Sequence, residues 1–326
     1  MSGPRVLVTG AGGYLGRQLV AALAERLEQG KIGSVVASDV RETAAELRRP
    51  GVVYLTADVR ALGLDGTLRR HAVDTVVHLA SIVTPGRNSD RAFEYSVDVD
   101  GTRKVLQACV AAGVRHIVVS SSGAAYGYHA DNPAWLTETD PVRGNQAFAY
   151  SLHKRLVEEM LAEYRLAQPQ LAQTIFRIGT ILGASVDNQI TDLFEKPRLI
   201  AIRGADSPFV FIWDQDVVGA FLHAIEGGRG GQSGVYNLAG DGALTIAELG
   251  RRLGKPVLFL PAGLLRLALR WLKALGLTQY GPEQLDFLRY RPVLDNRRLK
   301  EEFGYTPAKT SAQVFDFWLA QRAGRQ

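Results

Sequence analysis

The sequence is poor in cysteine and lacks any long hydrophobic run. Its single cysteine, Cys109, cannot form a disulfide within the chain, which suits a reducing compartment. No apolar run reaches the roughly 18 residues that a membrane-spanning helix needs. The first strand pattern begins at Arg5, and no charged and then apolar leader precedes it. We therefore expect a cytoplasmic protein with no membrane span.

Charge of one sign is not concentrated in any segment. The net charge of +5 is spread over short basic pairs such as Arg48-Arg49 and Arg69-Arg70. Such pairs are typical of solvated faces, so no nucleic-acid partner is indicated. A basic balance still attracts anionic small molecules. We expect a small-molecule substrate and no metal site.

The stretch from Arg5 to Leu27 has the order strand, tight glycine turn, helix. Its glycines are spaced as Gly10, Gly13 and Gly16. In that context each glycine has a role, because the turn must be tight, the backbone must approach a pyrophosphate, and the helix must pack on the strand. The helix N-terminus, beginning with Tyr14 and Leu15 in the turn, offers N–H groups to a phosphate. The alternative is an ordinary glycine-rich turn.

A second predicted strand, Lys31 to Asp39, ends in an acid at the distance expected of a ribose-binding carboxylate. The Asp39 carboxylate accepts hydrogen bonds from the adenosine 2′-hydroxyl and repels a 2′-phosphate. We therefore expect NAD as the cofactor rather than NADP, although Arg41 lies nearby.

Apolar patches then alternate with helical patterns, which predicts an α/β fold: a Rossmann doubly wound parallel sheet with a smaller C-terminal α/β substrate-binding region. We expect the nucleotide-binding domain to span 1–178, with 214–240 returning to it. The substrate-binding region is then 179–213 and 241–326.

Two strand ends in the first domain are candidates for cofactor contact. Asp58 is placed to reach the adenine amino group, while Val59 packs on the adenine ring. The next strand ends in small residues, Leu79-Ala80-Ser81, where the cofactor backbone would pass. His78 in that strand is interpreted as a packed histidine rather than a catalytic one.

Two further features carry chemistry. Ser120-Ser121-Ser122 directly follows a strand, and Tyr150 and Lys154 are spaced by four residues, which places them on one face of a helix. An ammonium beside a phenol stabilises the phenolate, so the tyrosine can act as a general acid or base. Such a pair is common on helices, and its weight comes from occurring with the glycine turn and the serine-rich strand end.

Together these motifs resemble the extended short-chain dehydrogenase/reductases of the NAD-dependent epimerase/dehydratase family, in the branch of UDP-glucose 4-epimerase. The resemblance covers nearly the whole chain. The matching motifs are Thr9 to Gly16, Asp58-Val59, His78-Leu79-Ala80, Ser120 to Ser122 with Tyr126-Gly127, Tyr150 with Lys154, Tyr236 to Gly240, and Phe303 to Pro307.

The resemblance implies roles for individual residues. Tyr150 would exchange the proton with the substrate hydroxyl or ketone, and Lys154 would hold the nicotinamide ribose. Ser122, four residues before Tyr126 as in the family pattern, would hydrogen-bond the reacting oxygen. The family also implies a homodimer formed through helices 93–110 and 150–166.

Three departures from the family pattern concern the substrate and cofactor contacts. Asp98 stands where the family usually has asparagine, so a contact that used the amide donor is changed or lost. Phe209 lies in the segment where sugar-nucleotide epimerases carry an arginine, and it cannot pair with a diphosphate. Arg291 is a candidate for a late diphosphate contact, in competition with Arg289 and Arg203.

The third departure is the segment from Leu260 to Tyr280, which is rich in leucine and carries Arg266, Arg270 and Lys273 at helical spacing. The favoured interpretation is a lid helix packed on the small domain with a solvated basic stripe. Peripheral contact with an anionic membrane and gating of an apolar substrate are the alternatives.

The leading hypothesis is an NAD-dependent epimerase/dehydratase-type enzyme acting on a nucleotide sugar. The alternative is an NAD(P)H-dependent reductase or dehydrogenase of a bulky hydrophobic ketone or alcohol, which Phe209 and the leucine-rich segment favour. A non-catalytic NAD sensor is a third class, and the presence of Ser122, Tyr150 and Lys154 argues against it.

Overall fold

The computed structural model describes residues 3–83, 90–205, 207–227, 233–275 and 284–324. The strands of this part are β1 Arg5–Thr9, β2 Ser34–Asp39, β3 Val52–Thr56, β4 Thr75–His78, β5 His116–Ser122, β6 Ala172–Ile178, β7 Thr180–Leu182, β8 Leu199–Ile202, β9 Phe211–Trp213, β10 Gly234–Leu238 and β11 Val257–Leu260. The helices are α1 Tyr14–Glu28, α2 Leu64–Arg70, α3 Arg91–Tyr95, α4 Gly101–Ala112, α5 Ala149–Ala167, α6 Gln189–Glu195, α7 Asp214–Ile225, α8 Ile246–Leu253, α9 Ala262–Ala274, α10 Gln284–Arg289 and α11 Ser311–Ala323.

Seven strands form one sheet in the order β10-β6-β5-β4-β1-β2-β3, and every neighbouring pair is parallel. This confirms the predicted Rossmann-type α/β fold. The strand that follows β1 in the chain lies on one side of it, and β4 lies on the other. Ligands of open parallel sheets bind at the carboxyl ends of the strands next to such a reversal.

Both faces of this sheet are buried, which is why its strands are continuously apolar. In β1, Val6 and Val8 belong to the core on one face while Leu7 belongs to the core on the other. Helices α1 and α7 cover the first face, and α2, α4 and α5 cover the second. Cys109 on α4 is fully buried, and this burial raises the pKa of its thiol to about 12. The cysteine is therefore a core residue.

The predicted helix over 93–110 is not regular. A wide π turn, Ser96–Asp100, joins α3 to α4. Such turns often occur at functional sites. The turn carries Asp98 into the protein interior, where the carboxylate is only 4% exposed.

A separate apolar cluster lies in the later part of the chain. It is built from α6, β7 to β9, α8 and α11, and its largest members are Phe194, Phe209, Phe211, Phe315 and Trp318. Two short parallel pairs, β7 with β9 and β8 with β11, belong to this part. Within the described ranges, no helix is long and apolar enough to cross a bilayer. The end of the leucine-rich segment, 276–280, lies outside the described residues.

Candidate active site

The glycine turn brings β1 and the end of β4 into close contact. Gly10 has a φ of +68°, and a Cβ there would lie 2.7 Å from the Ala80 nitrogen. A Cβ on Gly16 would collide with the carbonyl oxygen of Gly10. Gly13 precedes α1, whose first turn has no capping side chain and no acidic residue among these described positions. The turn therefore leaves backbone N–H groups directed at a space suited to an anion.

Tyr14, the first residue of α1, ties this turn to the later part of the chain. Its hydroxyl donates to the Asp214 carboxylate at the start of α7 over 2.6 Å. Burial, and then the Asp214 carboxylate, raise the pKa of Tyr14, so the phenol stays protonated. Leu15 packs against the core on the α1 face of the sheet.

Asp39 lies at the end of β2, directly beside the glycine turn. The carboxylate is 8% exposed and accepts hydrogen bonds from the Gly12 nitrogen at 2.9 Å and the Arg41 nitrogen at 3.0 Å. The Arg41 guanidinium is exposed, and its Nε lies 3.8 Å from the carboxylate. Asp39 is thus held in a fixed orientation at the position that the sequence predicts for a ribose contact.

Asp58 follows β3 and forms an ion pair that the sequence analysis missed. Its carboxylate lies 2.6 Å from the Arg60 guanidinium, which holds the pKa of Asp58 below its usual range. Val59 packs against α4, since a Cβ on Gly101 would lie 2.8 Å from the Val59 side chain. The adenine contact of Asp58 stays a prediction.

His78 in β4 is buried between two threonines. Its Nδ1 is 2.8 Å from Thr9 Oγ1, and its Nε2 is 3.0 Å from Thr102 Oγ1. Burial, and then the Lys154 ammonium, lower the pKa of His78 to about 4. The imidazole is therefore neutral at physiological pH, and His78 is a packed residue as expected. Beyond it, Leu79 donates its backbone N–H to Thr9.

Asp98 is enclosed by three donors at the end of β4. One oxygen accepts from Ser81 Oγ at 3.0 Å and from the Ile82 nitrogen at 2.8 Å, and the other lies 3.0 Å from His153 Nδ1. His153 is 2% exposed. The family's amide donor is thus absent, as expected, but a histidine donor from α5 faces the carboxylate. The sequence signal that was missed is a histidine directly before Lys154.

Helix α5 is fixed to the end of β5 on both sides of Ser122. Lys154 Nζ donates to the Ser120 carbonyl oxygen at 2.9 Å, and Ser151 Oγ donates to the Ala124 carbonyl oxygen at 2.7 Å. Between them, Ser122 Oγ accepts from the Ala124 nitrogen. Tyr150 directly precedes Ser151. Lys154 Nζ lies 5.5 Å from the centroid of the Tyr150 ring. The structure therefore brings the three predicted catalytic segments together.

A buried ion pair lies behind this strand end, and sequence reasoning did not find it. Arg177 on β6 and Glu158 on α5 are separated by 2.6 Å, and Ser121 donates its hydroxyl to the same carboxylate. The Arg177 guanidinium also lies 4.6 Å from the centroid of the Tyr126 ring. An arginine inside a predicted buried strand was the available signal, because arginine is almost never fully buried unless it is paired.

Arg291 is half-buried and is held by contacts with a distant segment of the chain. Its Nη1 donates to Ser207 Oγ and to the Ser207 carbonyl oxygen, each at 3.1 Å, while its Nε is buried without a partner. Burial lowers the pKa of Arg291 to about 9, so it remains a cation at neutral pH. No carboxylate in the part of the chain that the structure describes forms an ion pair with it. Arg203, by contrast, is exposed.

Phe209 is buried beneath the Arg291 guanidinium and does not face a substrate-binding space. It is 1% exposed and belongs to the apolar cluster of the later part of the chain. The Arg291 guanidinium lies 3.8 Å from the centroid of its ring, a cation–π contact. Phe209 is therefore unavailable as an apolar wall for a substrate, and that argument for a hydrophobic substrate is lost.

A row of aromatic rings connects Arg291 with Tyr150. The guanidinium lies 5.2 Å from the Phe287 ring, which lies 5.1 Å from Tyr128. Phe148 follows at 5.7 Å from Tyr128 and 6.3 Å from Tyr150. Packed rings thus connect the Arg291 cation with the predicted catalytic phenol. Their separation of more than 130 residues in the chain hid this relation from the sequence.

Comparisons with known proteins found similar chains. A protein of Mycobacterium tuberculosis strain H37Rv is 30% identical over 322 residues, which cover 97% of this chain and 84% of that protein. A UDP-glucose 4-epimerase of Erwinia amylovora is 28% identical over 190 residues, covering 57% of this chain and 56% of that enzyme.

Solved structures share the fold. MoeE5 in complex with UDP-glucuronic acid and NAD has a TM-score of 0.72 at 22% identity and covers 99% of this chain and 100% of its own. The Bordetella bronchiseptica enzyme WbmG in complex with NAD and UDP has a TM-score of 0.73 at 19% identity, with 99% and 95% coverage. A model of the NAD dependent epimerase/dehydratase family matches residues 6–239. The chain therefore belongs to that family and is an NAD-dependent enzyme of the extended short-chain dehydrogenase/reductase type.

Proposed function

We propose that this enzyme oxidises a hydroxyl of a nucleotide sugar in an epimerase-type reaction. The observation that carries the proposal is Arg291, a half-buried cation whose buried Nε has no hydrogen-bond partner and which forms no ion pair among the described residues. Ring contacts connect it to Tyr150. Removing a charge from water is costly unless it is paired, and a diphosphate supplies that pair in a geometry suited to guanidinium. The relatives that bind UDP or UDP-sugars support the same substrate class.

The residues around the glycine turn fit NAD. The backbone at Gly10, Gly13 and Gly16, with Tyr14 and Leu15, would hold the pyrophosphate. The Asp39 carboxylate, fixed by two backbone N–H groups, would bind the adenosine ribose and disfavour a 2′-phosphate. Further contacts would come from the strand ends and the π turn, namely Asp58, Val59, Leu79, Ala80, Ser81 and Asp98.

The proposed chemistry rests on three side chains. NAD, when bound, supplies the acceptor for a hydride. Tyr150 takes a proton from the substrate hydroxyl and returns it to the ketone oxygen, and the Ser122 hydroxyl donates a hydrogen bond to that same oxygen. Lys154, positioned by the Ser120 carbonyl, would hold the nicotinamide ribose beside Tyr150.

The proposal extends to the domain boundaries, the location and the oligomeric state. Residues 1–178 with 214–240 form the nucleotide-binding part, and 179–213 with 241–326 form the substrate-binding part. We infer a cytoplasmic location and a homodimer formed through the helical region 93–110 and α5. Size-exclusion chromatography with light scattering tests the dimer, and a monomer at micromolar concentration overturns it.

The substrate test uses Arg291→Lys, which keeps a positive charge and removes the planar fork. Arg297→Lys is the matched control, since that exposed guanidinium is paired with the Asp295 carboxylate at 2.7 Å. We expect UDP to bind the parent and the control, and to bind Arg291→Lys roughly tenfold more weakly. UDP-glucose and UDP-galactose should interconvert, or another UDP-sugar should be converted, without added cofactor.

Two outcomes separate the alternatives. Conversion of a hydrophobic ketone with NADH or NADPH, together with no affinity for UDP, establishes the reductase in place of the nucleotide-sugar enzyme. Bound NAD that denaturation releases, with no turnover of either substrate class, favours the non-catalytic sensor.

A further inference from the structure

Helix α9 has three different faces. Leu265 and Leu269 are half-buried and form the face that packs on the protein. Arg266, Arg270 and Lys273 are exposed and form a basic face. A third face is apolar and exposed, with Leu264 and Leu267 each 55%, Trp271 61% and Leu275 67% exposed. At about 100° per residue, the three faces point roughly 120° apart.

The exposed apolar face is the part of this helix that the predicted lid does not explain. A lid packed on the small domain buries its leucines and leaves a basic stripe in water. Here the basic stripe is in water, but a full row of leucine and tryptophan is exposed as well. Isolated exposed apolar residues are ordinary, whereas a contiguous row marks an interaction surface.

The charges beside this row indicate what covers it. Neither Arg266 nor Arg270 forms an ion pair with any residue in the described ranges, so both guanidinium groups remain available. Because the packed face is on the opposite side, the outward direction of the helix lies between the basic and the apolar faces. A helix with this arrangement inserts its apolar face into the headgroup and acyl boundary and pairs its cations with anionic lipid.

We propose that α9 is a docking helix for the surface of an anionic phospholipid bilayer. Leu264, Leu267, Trp271 and Leu275 enter the interfacial region, and Arg266 and Arg270 contact lipid phosphates. Tryptophan suits this position because its ring is apolar and its N–H prefers the polar boundary. Docking is peripheral, and it holds independently of which substrate the enzyme uses.

A second copy of the chain fits this surface less well. A stable interface buries roughly 800 Å² on each partner, and four side chains on one helix offer only part of that area. Pairing two such helices would also bring their arginines together. Exposed apolar residues continue on β11, which precedes α9, where Phe259 is 47% and Leu258 39% exposed.

The position of α9 relates docking to the active site. Helix α9 packs against α10, and α10 carries Phe287, which contacts Tyr128 and lies beside Arg291. A membrane-bound α9 therefore holds α10, and with it Phe287 and Arg291, close to the lipid surface.

Co-sedimentation of the full-length protein with vesicles tests the proposal. The vesicles contain phosphatidylcholine alone or phosphatidylcholine with 30% phosphatidylglycerol, a fraction on the order of that in anionic membranes. We expect binding to the anionic vesicles, a blue shift of tryptophan emission that Trp271→Phe removes, and weaker binding at high salt.

Two variants with matched controls locate the surface. Arg266→Gln/Arg270→Gln should bind about 30-fold more weakly, while Arg69→Gln/Arg70→Gln on α2 changes net charge equally and should bind as the parent does. Leu267→Ser should bind about tenfold more weakly, whereas Leu62→Ser, at a 92% exposed leucine outside α9, should not. Unchanged melting temperature shows that each variant is folded.

Three results overturn the proposal. They are no binding to anionic vesicles, equal binding of the α9 variants and the parent, or a dimer that Leu267→Ser dissociates. The last would assign the apolar face to a second copy of the chain. Because each readout is independent of turnover, failure here leaves the proposed substrate class unaffected.

Discussion

The carboxyl edge of the sheet, which carries the cofactor motifs, and the surroundings of Arg291 are built in different ways. At the carboxyl edge, Asp39 ends β2 and accepts a hydrogen bond from the Gly12 N–H, and Lys154 on α5 donates one to the Ser120 carbonyl oxygen in β5. Arg291, in contrast, contacts Ser207, which lies 84 residues away, and stacks on Phe209. The first region is encoded locally, so motifs reveal it, whereas the second exists only after folding.

The largest effect on activity should come from replacing Tyr150, because this residue of the local motif transfers the proton in the proposed reaction. Tyr150→Phe removes the hydroxyl that moves the proton, and we expect kcat to fall about 1,000-fold. Tyr164→Phe on the same helix is the control and should keep full activity. The NAD content and melting temperature of both should match the parent. A Tyr150→Phe enzyme with normal turnover would remove Tyr150 from the proton transfer.

Variants of Asp98 test how much the contact between Asp98 and His153, which the family motif does not contain, contributes to stability. Asp98→Ala leaves Ser81, Ile82 and His153 without their acceptor, and we expect a loss of about 3 kcal/mol in the free energy of unfolding measured with urea. Asp98→Asn keeps one oxygen for Ser81 and Ile82 and should lose less. If alanine and asparagine cost the same small amount, the buried pair with His153 contributes little.

The buried His78 makes the stability of the folded protein sensitive to acid. Its pKa in the folded state, about 4, lies below the ordinary value of 6.5. The unfolded chain therefore binds more protons between pH 6.5 and 4, and stability falls as pH decreases through that window. The full effect is about 3 kcal/mol. The His78→Gln protein should be less stable at pH 7 and should show a smaller decrease in unfolding free energy between pH 6.5 and 4.5. An equal decrease in both proteins would assign the acid sensitivity to other groups.

Asp39 should show the smallest effect, confined to cofactor choice. Asp39→Asn removes the charge that repels a 2′-phosphate, and Arg41 is close enough to attract one. We expect NAD affinity to fall roughly tenfold and NADP affinity to rise, a change of about 1.4 kcal/mol. Isothermal titration with both cofactors measures it, with Asp65→Asn on α2 as a charge-matched control. Unchanged discrimination would remove Asp39 from the ribose contact.

Much of the molecule could be predicted because the relevant signals are local. The alternation of strands and helices predicts the parallel sheet, and the spacing of Tyr150 and Lys154 predicts a shared helix face. The helix over 93–110 could be predicted from its spacing, but apolar spacing does not reveal the π turn inside it. The ion pair of Arg60 with Asp58 was also missed, although only one residue separates them.

The sequence by itself determined the fold class, the glycine turn, the family and the catalytic candidates, because each depends on residues close together in the chain. Tertiary structure alone decided that His153 faces Asp98, that Glu158 pairs with Arg177, that Phe209 supports Arg291, and that one face of α9 remains exposed. Burial and partnership arise from contacts between distant segments. The spacing of residues along one segment therefore does not predict them.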